Sequence, residues 1–593
     1  MNPFSVKTPE TLSPQDIASL FIDVFSDFPR ILYAEHTFIH GSRGTGKSMM
    51  LRYLEPSVQI AARKVQSVPE LNYYAVHMPI KTPNYCLTEL ERLDGAPYWL
   101  LSEHFLILNA ALQITNSLQM LAVDSASSNE EAISSFLIKV NQLIKDIGHD
   151  PIIIEQKSSG IEKLGQLNNF FTRERITSKK YINKLTFEKN LIPYEGSIFG
   201  YEDFFLPYIR LIKSLDFTPN GPIYLMIDDA DNLPIRMQKI INGWVSYRST
   251  NDLCLKISTQ KKYKTWRTTQ GMLIENSHDF SDIDISSVYT SKQFSHYYDR
   301  IEEIVTRRLE VAGLSGITPT EFFPTNSTQD LGLENIKAEI GKKWDEGIRI
   351  SSRKADDIRR YAVSEYLKAL ARDKKTNLYS YAGFRSMVDI SSGMIRFFLE
   401  PAARMYSEMM STHDGSVIKN IPYTVQDNIL KKWSEEYVLE EFDHLKKDET
   451  SETSSNLNKV EQVKRLINAF GECFQKKLVS SDSERQYISF MVTAAPSSNV
   501  QEVLDLAVEW GYLNVKSIGR KEGFGRNTLY SLNRRLAPYF KLDPSGYAHH
   551  MSVTPDHLAL AIENPRAFVV ERLKEEADKD SRTTTQESFN FGE

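Results

Sequence analysis

Gly41-Ser-Arg-Gly-Thr-Gly-Lys47-Ser48 is the stretch on which the reading of this chain turns. It fits G-x-x-x-x-G-K-S, a spacing with a mechanism. Its glycines let backbone N–H groups converge on phosphate oxygens. The helix that follows points its positive end at the same phosphates. Lys47 supplies a compact charge to the β- and γ-phosphates, and the Ser48 hydroxyl is a ligand for Mg²⁺. The expected nucleotide contacts are therefore Gly41, Ser42, Arg43, Gly44, Thr45, Gly46, Lys47, Ser48 and Met49, with ATP and Mg²⁺ as cofactors. The context agrees: Thr37-Phe-Ile-His40 reads as a short buried strand and Met49-Met-Leu-Arg-Tyr-Leu54 as a helix.

Working outward, Ser13-Pro14 starts a helix, because Ser caps and Pro suits the first helical position. Apolar residues then recur at Ile17, Leu20, Phe21, Val24 and Phe25 with helical spacing. Tyr73–Pro79 reads as a second core strand. Ile223-Tyr-Leu-Met-Ile227 is an apolar run between Gly-Pro and Asp-Asp, which is the pattern of a buried parallel strand. Leu253–Ser258 is another. Strands alternating with helices argue for a parallel α/β sheet. In such sheets ligand chemistry collects at strand C-termini. Asp228 is thus expected to hold Mg²⁺, and Asp229 to orient or deprotonate the attacking water, with Asp231 near enough to share that role.

The chain has 593 residues, 41% hydrophobic and 25% charged, which is globular composition with room for several domains. Its net charge of −6 excludes a globally basic nucleic-acid binder but not a local basic patch. The three cysteines, Cys86, Cys254 and Cys473, are far apart and suit neither a disulfide framework nor a metal site. That points to a reducing, cytoplasmic compartment. No uninterrupted apolar run reaches membrane-spanning length, so no membrane partner is expected.

The order of these pieces resembles the AAA+ ATPases related to the origin-recognition complex, especially the origin-recognition-like ATPases of bacteria. The matching residues are Asn2-Pro3-Phe4, Gly41–Ser48, Ile227-Asp-Asp-Ala-Asp-Asn-Leu233, Ser258-Thr259-Gln260, Ser391-Ser-Gly393-Met-Ile-Arg396 and Arg526–Phe540. The resemblance implies that Gln260 or Thr259 senses the γ-phosphate and that Arg396 is a second sensor at the start of a lid helix. With Lys47 and Asp229, Gln260 and Arg396 form the implied catalytic set. Phe4 either packs on the adenine or anchors the N-terminal segment. An arginine from a neighbouring subunit is implied, hence a homo-oligomer. Arg267 and the pair Arg307-Arg308 have no distinctive motif for that part, and a solvent-facing helix position is the plainer expectation for the pair.

The fold class expected is an α/β P-loop NTPase, AAA+-like, with a helical insertion, a helical lid and a C-terminal winged-helix domain. The boundaries expected are 1–290 for the ATPase core with an insertion at about 84–215, 291–440 for the lid, 441–460 for a linker, 461–575 for the winged-helix-like domain and 576–593 for a disordered tail. The insertion follows from the roughly 180 residues between Ser48 and Asp228, far more than a compact core needs. Residues 499–514 read as a helix, 519–525 as a turn, 527–536 as a second helix and 549–554 as a strand, which is winged-helix order. Between Lys516 and Lys541, seven basic residues meet one acid, Glu522. Lys516, Arg520, Lys521, Arg526, Arg534 and Arg535 are therefore the expected DNA contacts. The function expected is an ATPase that couples hydrolysis to DNA binding or remodelling. The alternative is an ATP-controlled signalling or assembly switch that regulates a partner effector in a bacterial defence or mobile-element system, of which bacterial proteins with this resemblance are often parts.

Overall fold

The computed structural model describes residues 2–575 apart from 23–27, 86, 94, 125–128, 156, 188–191, 261–262, 286–293, 347–353, 376–377, 413–416, 450–453, 481–486, 520–525 and 546–548. The chain forms two compact units, one of residues 7–288 and one that joins residues 1–6 to 289–593.

The first unit is built on a five-stranded sheet. Its strands are β1 (Thr37–His40), β2 (Tyr74–Pro79), β3 (Ile223–Asp228), β4 (Leu253–Thr259) and β5 (Ser281–Asp284). They lie in the order β2-β3-β4-β1-β5, and each neighbouring pair is parallel. Every residue of β1, β3 and β4 is buried, so these strands carry no polar/apolar alternation. β4 separates β1 from β3, which leaves the phosphate-loop strand and the acidic strand on either side of it. β5 was not expected: Ser-Asp-Ile-Asp is an acidic edge strand with one buried residue, Ile283, and it looks like a loop.

Around the sheet stand α1 (Pro14–Leu20) and α2 (Lys47–Tyr53). α1 starts with a reciprocal capping box between Ser13 and Asp16 and ends at Leu20, short of the expected Phe25; Val24 and Phe25 lie outside the described residues. The insertion comprises α3 (Ala96–Asp124), α4 (Glu130–Asp146), α5 (Gly160–Phe187) and α6 (Leu206–Lys213). By length and composition α3 alone, among the described helices, could cross a membrane, but 67% of its most apolar window is buried inside the protein. It is the insertion's core helix, and its His104 accepts the Phe199 N–H at 3.0 Å. α7 (Ile235–Ser246) follows β3. Its Arg236 bonds the Tyr98 hydroxyl and the Leu87 carbonyl, and its Trp244 donates to Glu103, which fixes the insertion to the sheet layer.

The second unit is largely helical: α8 (Phe294–Val311), α9 (Ser327–Asp345), α10 (Lys354–Arg372), α11 (Phe384–Ile390), α12 (Ile395–Thr412), α13 (Tyr423–Glu449) and α14 (Ser454–Val479). Apart from 450–453, which lie outside the described residues, the expected linker at 441–460 is helix; it lacks the Gly and Pro that interrupt one. Phe4 is fully buried against Phe322, Phe323 and Tyr406, so the anchor reading of Phe4 holds.

A four-stranded sheet closes this unit, with β6 (Tyr487–Val492), β7 (Leu513–Gly519), β8 (Arg526–Leu532) and β9 (His549–Val553) in the order β7-β8-β6-β9. α15 (Ser498–Glu509) precedes the antiparallel β7–β8 hairpin, and α16 (Pro555–Glu563) follows β9. The second helix expected at 527–536 is instead strand β8 and a short 3₁₀ turn. Tyr530 and Leu532 are buried two apart, the period of a strand, and Thr and Tyr favour one. The expected tail at 576–593 lies outside the described residues.

Candidate functional site

The loop that leaves β1 is shaped by its own residues. Gly44 and Gly46 take φ of 89° and 99°, where side chains strain the backbone. Gly41 is needed for a different reason: a Cβ there would lie 2.5 Å from Ile285 Cγ1. Its N–H donates to the Thr259 carbonyl at 3.0 Å, which ties the loop to the end of β4. Thr45 closes the turn by donating to the Ser42 carbonyl at 2.9 Å. Lys47 is buried, and its Nζ donates to the carbonyls of Gly41 at 2.7 Å and Ser42 at 3.2 Å. Burial pushes its amine below the ordinary value, while Asp229, Asp228 and Asp231 pull it back up.

Asp228 ends β3 and is only 2% exposed. Ser258 Oγ donates to its Oδ1, and His77 Nε2 donates to its Oδ2 at 3.1 Å. The Ser48 hydroxyl adds to the groups that stabilise its charge. Burial alone would raise its pKa, yet the His77 bond and charge, with the two serines, hold it below the ordinary carboxylate value. Asp229 differs in each respect. It is partly exposed and adopts a left-handed backbone, φ 56° and ψ 46°, with its N–H on Ser258 Oγ at 2.9 Å. Its pKa is raised by burial and by Asp228, against the opposing pull of Lys47. Asp231 accepts the Gln260 N–H at 3.1 Å, and Thr259 is buried with its hydroxyl 3.1 Å from His40 Nδ1. Lys47, Ser48, Asp228, Asp229 and Gln260 thus belong to one neighbourhood of the first unit, at the C-terminal ends of its strands.

The donor set suits the expected cofactors. A serine hydroxyl and a carboxylate are hard oxygen donors of the kind Mg²⁺ takes. The loop's glycine geometry is the cradle a polyphosphate needs. Sequence reasoning missed His77 and Ser258 as partners of Asp228. The signal in the sequence was slight: His77 stands among apolar neighbours on β2, but Ser258 is one of three polar residues on β4, with Lys256 and Thr259.

Arg396 lies in the first turn of α12, in the second unit. Of the basic patch, Lys516 is on β7, Arg526 is exposed on β8, and Arg520 and Lys521 lie outside the described residues. Arg534 and Arg535 correct the expectation. Each is only 6% exposed and engaged within the protein, so neither offers its charge to a nucleic acid. Arg308 is half-buried and donates to the Pro3 carbonyl at 2.8 Å, whereas Arg307 pairs with Glu310 on the surface.

The glycine loop between a buried strand and a helix, with the acidic strand one removed from it in a parallel sheet, defines a P-loop NTPase fold. The family model for ORC-CDC6-like proteins matches residues 2–553, and the chain belongs to that family. Among solved structures, it is similar to the Aeropyrum pernix ORC1 protein in complex with DNA, at 8% identity, over 91% of this chain and 97% of that one, with a TM-score of 0.27. No curated protein matches it.

Proposed function

We propose that this protein binds ATP with Mg²⁺ at the Gly41–Met49 loop, hydrolyses it, and couples the cycle to DNA engaged by its C-terminal sheet. The observation that carries the reading is the placement of Ser48 in the first turn of α2, directly after the phosphate loop, and of buried Asp228 at the C-terminal end of β3, two hard oxygen donors on the loop and the acidic strand of one parallel sheet. Lys47 exchanges its loop carbonyls for phosphate oxygens. Ser48 holds Mg²⁺ directly, and Asp228, its hydrogen bonds already used, holds it through water. When bound, the metal neutralises charge on the phosphates. Asp229 orients the attacking water and takes its proton, and its raised pKa makes it a stronger base than an ordinary aspartate. Gln260 contacts the γ-phosphate or the water. Arg396 stabilises developing charge, by family resemblance. Lys516, Arg520, Lys521 and Arg526 meet phosphates of a duplex, and the working form is an oligomer. The five-part domain division read from the sequence is proposed on the same basis.

A second reading gains from the burial of Arg534 and Arg535, which removes two of the six expected DNA contacts. In it, ATP state controls docking of an effector protein in a bacterial defence or mobile-element system. Steady-state ATP hydrolysis with and without duplex DNA, for wild type and Asp229→Ala at two salt concentrations, separates the two. Stimulation by DNA that fades with salt and vanishes in the variant supports the DNA-coupled ATPase. Slow turnover indifferent to DNA supports the switch.

A further inference from the structure

Asn533, Arg534 and Arg535 form the short turn directly behind β8. All three are buried, and each is used inside the second unit. Arg534 donates its backbone N–H to Ser392 Oγ at 2.8 Å, and its guanidinium lies 3.8 Å from Asp389. Ser392 and Gly393, with φ of 53° and 71°, are the consecutive left-handed residues that turn the chain from α11 into α12. Arg535 fills an aromatic box. Its guanidinium carbon is 3.9 Å from the ring centre of Trp433, 4.0 Å from Tyr437 and 5.1 Å from Phe397. Its carbonyl accepts the Ser434 hydroxyl at 2.6 Å. Arg534 therefore grips the turn that precedes Arg396 and Arg535 the ring that follows it, while Asn533 ties the pair to Gly511 and Tyr512 and accepts the Arg535 N–H at 3.0 Å.

We infer that Asn533–Arg535 is a latch, with Arg534 and Arg535 as positioning residues for Arg396. The inference rests on the proposed sensing role of Arg396. A planar cation stacked between aromatic rings is a stiff, directional contact, which lysine or a neutral chain does not reproduce. β8 ends at Leu532, one residue before the latch. A load on the β7–β8 hairpin, which carries Lys516 and Arg526, reaches Ser392 and Phe397 without passing through a flexible segment. A duplex bound by that hairpin biases the pose of Arg396 and so ATP turnover, and the coupling runs equally in reverse for binding.

Hydrogen–deuterium exchange on the full-length chain tests this. Arg535→Met keeps the volume of the side chain and removes its charge and plane. It is expected to raise amide exchange in residues 391–399 about tenfold while leaving residues 47–54 unchanged. ATP kcat should fall to the level of Arg396→Ala with KM unchanged, and the double variant should be no slower than the slower single one, as for residues acting as a unit. Should Arg535→Met lose its cooperative melt, Ser392→Gly takes its place, since it removes the acceptor for Arg534 and suits the left-handed turn. Unchanged exchange at 391–399 in the folded variant overturns the latch. Raised exchange with wild-type turnover in Arg396→Ala overturns the assignment of Arg396 instead.

Discussion

Asp229 carries more of the proposed chemistry than its conformation would lead one to expect. A left-handed backbone costs a non-glycine residue about 1 kcal/mol, though aspartate tolerates it better than most. Its N–H bond to Ser258 helps hold it there. Asp229→Asn keeps the shape and loses the base, so kcat should drop about 10²-fold or more while affinity for a fluorescent ATP analogue stays near wild type. Burial and Asp228 raise the carboxyl's pKa, so protonation removes the base at a pH above the ordinary aspartate value. The acid limb of the kcat–pH profile should therefore sit above that value, and a limb at the ordinary position would contradict the assignment. His77 offers a separate test. Its bond and charge help keep Asp228 ionised. His77→Ala should raise the Mg²⁺ concentration needed for half-maximal nucleotide binding about tenfold, read by titration of the same analogue.

At the scale of elements, the phosphate loop fits tightly against the segment that follows β5. Gly41→Ala would press a methyl group against Ile285. Overpacking of this kind costs about 1–3 kcal/mol, so the thermal midpoint should fall and nucleotide affinity with it, and adding Ile285→Ala should recover most of the loss. The loop was legible in the sequence from glycines at fixed spacing, β3 from its continuous apolar run, and β1 and β4 from short apolar-centred runs next to loops. Less was legible where the physics is not local. β5 is acidic and owes its place to pairing with β1. In Arg526–Leu532 the alternation of Tyr530 and Leu532 marks a strand, but the surrounding charges make it look like a helix face. No pattern in the chain reveals that Arg535 is enclosed by Phe397, Trp433 and Tyr437, since those rings come from 98 to 138 positions upstream.

On the scale of the whole molecule, two buried histidines set an acid limit on stability. Burial pushes His36 down to about 4 and His104 down to about 3 from an ordinary 6.5. Below pH 6.5 the unfolded chain takes up protons that the folded chain refuses. The stabilisation is complete above 6.5 and is lost as pH falls toward those values, about 2 kcal/mol per histidine by pH 5. His104→Asn should accordingly lose less stability than wild type between pH 7 and pH 5, measured as the urea midpoint of the transition that includes the first unit. The division of the chain also has a consequence for its synthesis. Phe4 belongs to the unit that otherwise begins at residue 289, and its ring rests against Phe322 and Phe323. A ribosome releases that phenylalanine more than 300 residues before its neighbours exist. Residues 7–288 are free to fold while Phe4 waits, an apolar side chain without a seat that a chaperone is well placed to hold until the second unit arrives.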